Sequence, residues 1–109
     1  MTLLDKTCSP GAAALSHDAI AGLLPQVAGW ALVDARLTRT FALRDYRDTI
    51  AFVNALAEMV HREDHHPELR VTYKECTVSF STHSVNGVTE NDFICAAKAN
   101  AIYEQRARA

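Results

Sequence analysis

Between Asp45 and Asp64 the apolar residues Ile50, Val53, Leu56, Ala57 and Val60 recur at steps of three and four. That spacing lays one apolar stripe along a long helix. Such a helix needs a second layer to cover its stripe, so the flanking segments decide the fold. Asp45 or Asp48 near its start complements the helix dipole. Pro67 disfavours helical geometry at His66, so the helix ends in or just before the stretch His61–Pro67.

Upstream, Ser16 can cap a short helix carrying Ala19, Ile20, Leu23 and Leu24, with Pro25 and Gly29 marking its end. Trp30 and Leu32, then Ala35, Leu37 and Phe41, suggest two short strands turning near Asp34 to Arg36, although no Asn-Gly or Asp-Gly pair marks the turn. Downstream, Leu69, Val71 and Tyr73 alternate, as do Cys76, Val78 and Phe80, the pattern of two half-buried strands. Asn86-Gly87 marks a turn. Thr89 and Asp92 then form a carboxylate variant of the capping box, ahead of a closing helix with Phe93, Ala96, Ala97, Asn100, Ala101 and Ile102 mostly on one face. The order α-β-β-α-β-β-α predicts an α+β domain whose helices cover one face of an antiparallel sheet. Residues 1–15, small, polar and punctuated by Gly and Pro, are expected to form a flexible leader, and 16–109 a single domain.

Several classes of function fall away on composition. A net charge of -2 gives no basic footprint for nucleic acid. No apolar run approaches the roughly 20 residues that span a bilayer, and the first residues lack the pattern of a secretory signal. Cys8, Cys76 and Cys95 are odd in number and widely spaced, so a disulfide framework is not expected and a reducing cytoplasm fits best.

The stretch HREDHHP, His61 to Pro67, gathers three histidines and two carboxylates in seven residues. His61 and His65 are four apart and share a helix face, with Asp64 adjacent. His66 falls where the helix ends. A second polar group, Ser81-Thr82-His83, closes the fourth strand, and a hairpin of strands three and four would bring His65 and His66 towards His83. Asp92 follows at the start of the last helix. Three readings stay open at this level. One is a solvated helix end with a strand-end histidine and a capping aspartate. Another is a metal site, since HxxxH is a helical ligand spacing, though no HExxH is present. The third is acid/base catalysis, since histidine titrates near pH ~6.5 and can donate or accept a proton at neutral pH.

The full spacing, His61-x3-His65-His66-Pro67-x5-Tyr73-x9-His83-x8-Asp92, resembles the signature of the pterin-4a-carbinolamine dehydratase family. Gly29-Trp30, the long middle helix and the segment THSVNGVTENDF also fit, and the resemblance covers roughly residues 16 to 104. It implies a sheet of four antiparallel strands with three helices packed on one face, assembling as a homodimer or homotetramer. It implies dehydration of 4a-hydroxytetrahydrobiopterin to quinonoid dihydropterin and water, in tetrahydrobiopterin recycling after aromatic amino-acid hydroxylation, with no metal and no organic cofactor. An aromatic amino-acid hydroxylase would be the pathway partner.

By the same resemblance His65 and His83 are the proton-transfer pair, His65 as base and His83 as acid, an order that can reverse for one substrate epimer. His66 holds and orients the pterin. Asp64 and Asp92 position histidines or bind pterin polar groups, Ser81 and Thr82 present backbone groups to it, and His61 is expected among the substrate-binding residues. Trp30 offers either a flat surface for ring contact or core packing. Two positions depart from the common pattern: His61 stands where animal members carry glutamate, and Leu69 where an aromatic residue is frequent. Animal members also serve as dimerisation cofactors of a transcription factor, so a non-catalytic binding module is the alternative. A pure interaction module would have no need of His65, His66 and His83 together.

Overall fold

The computed structural model describes residues 2–108. Its elements are α1 (His17–Leu23), β1 (Ala31–Val33), β2 (Arg36–Ala42), α2 (Tyr46–Glu63), β3 (Glu68–Val71), β4 (Glu75–Phe80) and α3 (Glu90–Arg108), in the expected α-β-β-α-β-β-α order. The four strands form one antiparallel sheet in the order β1-β2-β4-β3. Leu37 and Phe41 of β2 pair with Phe80 and Cys76 of β4, and all four are fully buried beneath α2 and α3. The alternate residues face the other way, where Thr38 pairs with Ser79 and Thr40 with Thr77 through hydroxyl hydrogen bonds of 3.2 and 2.8 Å. The sheet is thus apolar on its helix side and polar on the other.

Local chemistry sets the element ends. The Ser16 hydroxyl caps α1 by accepting from Ala19 N at 3.1 Å. Asp34 and Ala35 both have positive φ, 51° and 62°, the two-residue hairpin turn whose twist matches paired strands. Asp45 caps α2 by accepting from Asp48 N at 2.8 Å. The Asp48 carboxylate in turn accepts from Arg44 N at 2.9 Å and lies 3.3 Å from Arg106 of α3, joining the start of one helix to the end of the other. The bond from Arg44 N, followed by the two arginine side chains, outweighs burial and holds the Asp48 carboxyl below the usual aspartate range. At Gly29, with φ +89°, a Cβ would meet the Arg39 guanidinium at 2.7 Å. Arg39 is fixed there by Ala28 O and Asn100 Oδ1.

Two sequence expectations need correction. The buried face of α2 is Thr49, Phe52, Leu56, Met59 and Val60, while Ile50 and Val53 are half-buried and Ala57 is exposed. Two neighbouring rows of this helix satisfy the three-four spacing, and the row with Phe52 and Met59 removes more apolar area from water. On β3, Leu69 and Val71 keep 39% exposure each, and Tyr73 beyond it keeps 65%. β3 is an edge strand, so its inward side is only partly covered, whereas Val78 and Cys76 of neighbouring β4 are fully buried.

The leader makes many contacts for a segment of its composition. Leu3 is buried at 5% exposure, Ser9 exchanges two hydrogen bonds with the Asn91 side chain (3.1 and 2.8 Å), and Leu15 N donates to Val88 O at 2.9 Å. These contacts explain why α3 is buried on all sides from Asn91 to Ala96.

Candidate active site

Helix α2 ends at Glu63, four residues before Pro67. Asp64 takes the left-handed conformation (φ 52°), and its N–H and that of His65 return to the last carbonyls, His65 N to Val60 O at 3.2 Å. This reversal directs the His65 side chain back into the fold. Its ring stacks on Phe80 with centroids 6.1 Å apart and planes 11° from parallel, and its Nε2 lies 2.5 Å from Asp92 Oδ1.

Asp92 is fully buried, and its other oxygen accepts from Thr89 N and from the Thr82 hydroxyl, each at 2.8 Å. Because the Thr82 proton goes to Asp92, the Thr89 hydroxyl donates to Thr82 at 2.9 Å and itself accepts from Asn91 N at 3.2 Å. The capping box read from Thr89 and Asp92 is therefore also the support of His65. A carboxylate only accepts, so Nε2 carries a proton, and in the neutral imidazole Nδ1 is the acceptor.

β3 and β4 pair with Glu68 opposite Ser79, which brings His66 and His83 onto the walls of one cleft of about 280 Å³, with Arg36, Ser79 and Ser81. This is near the lower end for small-molecule sites. His83 opens a 3-10 turn, His83–Val85, closed by left-handed Asn86 (φ 54°) and held by Thr82 N to Gly87 O at 2.7 Å. It is exposed, as is His66. Arg36 and Glu68 reach across β4 to pair at the cleft rim.

His65 and Asp64 line a neighbouring cleft of about 430 Å³ whose far wall is the leader, Cys8 to Ala12. Thr82 borders this cleft and also the surface beside His83. His61 is exposed on the last turn of α2 and lines none of these clefts. Trp30 lies in the core at 6% exposure, within 5.8 Å of the Phe41 and Phe80 ring centroids, its Nε1 donating to Asn100 at 2.7 Å. Among the described residues no three His, Cys, Asp or Glu side chains are arranged to hold a metal ion, and no helix is long and apolar enough to cross a membrane.

Sequence reasoning missed Arg36, Glu68, the stacking role of Phe80 and the leader wall. The parity of β4 places Phe80 with Cys76 and Val78, so its stacking partner was within reach. The positions of Arg36 and the leader depend on β2–β4 pairing and leader docking, which no local pattern encodes.

Residues 13–102 match the sequence model of the family described as "Pterin 4 alpha carbinolamine dehydratase". A protein of Xanthomonas oryzae pv. oryzae named "Putative pterin-4-alpha-carbinolamine dehydratase" is 57% identical over 93 residues, 84% of this chain and 79% of its own. One of the same name from Stenotrophomonas maltophilia is 56% identical, with 84% and 80% covered. The crystal structure of a transcriptional coactivator/pterin dehydratase from Brucella melitensis is similar at a TM-score of 0.80 and 36% identity, over 83% of this chain and 98% of that one. With its signature histidines set on the sheet and helix ends of this fold, the chain belongs to the pterin 4 alpha carbinolamine dehydratase family.

Proposed function

We propose that this protein dehydrates a pterin 4a-carbinolamine, 4a-hydroxytetrahydrobiopterin or a close analogue, releasing water and the quinonoid dihydropterin. The observation that carries the reading is a cleft walled by His66 and His83, beside a third histidine whose ring is fixed by a buried carboxylate. The reaction needs one proton delivered to the departing 4a-hydroxyl and one removed from the adjacent ring nitrogen, leaving a carbon–nitrogen double bond. His65, with Nδ1 unprotonated, takes the nitrogen proton. His83, in the adjoining cleft on the other side of Thr82, supplies the other, and His66, which shares that cleft, orients the ring. Ser81 offers polar groups to the pterin from the cleft wall, whereas the Thr82 N–H and C=O are both engaged within the turn that carries His83. Asp92 acts through His65, fixing its tautomer and ring plane. Each positioned acid or base contributes about 10²–10⁴-fold.

The 4a-carbinolamine is the kind of product released by aromatic ring hydroxylation with a tetrahydropterin, which gives this enzyme a recycling role. The test is dehydration of freshly generated 4a-carbinolamine by purified protein, with and without a chelator. Turnover unchanged by chelator supports the metal-free histidine reading. Absence of turnover in folded protein overturns it. A protein-binding role is the second reading, favoured by Leu32 and Val33 on edge strand β1 and Leu69 and Val71 on edge strand β3, all exposed.

A further inference from the structure

Cys8 and Cys95 are 87 positions apart in sequence, yet their sulfurs lie 3.6 Å apart. Cys8 belongs to the leader and is partly exposed. Cys95 is fully buried in α3, one turn after Asp92. We propose that this pair is an oxidation site: a hydroperoxide converts it to an intramolecular disulfide that fastens the leader to α3. Cys8 lies outside residues 13–102, which match the family model, so the device rests on a segment beyond that match.

The geometry favours closure. A disulfide needs sulfurs about 2.05 Å apart, roughly 1.5 Å nearer than they stand. Cys95 is held by its helix, but Cys8 lies in irregular chain between the Leu3–Asp5 turn and Gly11 (φ +75°). Cys8 is also kept in register by its neighbours: its own N–H donates to Glu63 Oε1 at 2.8 Å, and Ser9 is held at both backbone groups by Asn91. Its thiol is directed towards Asn91 O at 3.6 Å, on the same helix as Cys95. No third ligand-bearing side chain completes a metal site here among the described residues.

Exposure orders the two steps. The Cys8 thiol attacks the hydroperoxide, breaking the O–O bond and leaving Cys8 as a sulfenic acid, while the other oxygen departs as water or an alcohol. Cys95 sulfur then attacks Cys8 sulfur; the S–O bond breaks, and the hydroxyl leaves with the Cys95 proton as a second water. Before oxidation Cys95 is inert, because the Cys8 sulfur beside it, then burial, hold its thiol well above the ordinary range. Cys76, buried in β4 with its thiol pushed up to about 11 by burial, has no such partner.

The consequence is local to the candidate site. Cys8 and Ser9 form part of the wall facing His65, so the bond fixes that wall. The experiment treats the reduced full-length protein with hydrogen peroxide, blocks remaining thiols, and maps peptides without reductant. The expected result is a Cys8–Cys95 linked peptide within one chain, Cys76 alkylated, and a melting temperature raised by roughly 10 °C that dithiothreitol returns to its starting value. Cys8→Ser, a conservative change at a partly exposed position, should abolish both the linkage and the shift. Cys8 recovered as sulfinic acid with Cys95 still alkylatable, or linkage only between chains, would overturn the proposal. If Cys95→Ala fails to fold, Cys8→Ser still decides the matter.

Discussion

Asp92 accepts hydrogen bonds from His65, Thr82 and the backbone of Thr89, and a buried carboxylate is tolerable only with such partners. Asp92→Asn replaces one acceptor oxygen by a donor, leaving one of these groups unmatched. It should destabilise the protein by about 1–3 kcal/mol in urea unfolding and lower turnover as His65 loses its fixed tautomer. Retention of wild-type turnover would free Asp92 from any positioning role. Thr89→Ala removes the cap and the link to Thr82, at a cost of about 1 kcal/mol. These residues were legible in the sequence because a capping box is a local code, four residues long. The bond to His65 was not, since it joins positions 27 apart. Trp30 shows the same limit: its pairing with Gly29 was plain, but only the packed core places its ring against Phe41 and Phe80.

Among the elements, α2 makes the sharpest distinction. Phe52→Ala should cost about 3–5 kcal/mol, whereas Ala57→Ser, on the exposed side, should stay within about 0.5 kcal/mol. Equal effects at both positions would return the buried stripe to the row first read from spacing. The existence and extent of this helix were legible, but its rotation was not, because two adjacent rows carry apolar residues. The acid limb of stability belongs to its first turn. A carboxyl held below its unfolded value stabilises the fold fully above the ordinary aspartate pKa of about 3.9, and this contribution disappears as pH falls through the folded value. Asp48→Asn should therefore lower the melting temperature at neutral pH and flatten its decline in acid. A decline as steep as the wild type's would assign the acid limb to other groups. At the β1–β2 turn, Ala35 occupies a left-handed φ of 62°, and Ala35→Gly should leave stability unchanged or raise it by up to about 1 kcal/mol.

At the scale of the whole molecule, the α+β order of elements followed from periodicity and turn residues alone, since each element carries its own signal. The order of strands did not, because β2–β4 pairing joins segments on either side of α2. That pairing sets Arg36 beside the histidines, and leader docking gives the His65 cleft its second wall. The candidate site is thus assembled from the ends of α2, β4 and α3, and the proposed reaction has two of its histidines exchange protons with one substrate. The most direct measurement is the rate of 4a-carbinolamine dehydration by wild type and by the His65→Ala, His83→Ala and doubly substituted proteins, each checked for native melting. Each single change should lower turnover by an order of magnitude or more, with the double variant near the uncatalysed rate. Near-wild-type turnover in the folded double variant would contradict histidine acid/base catalysis at this site.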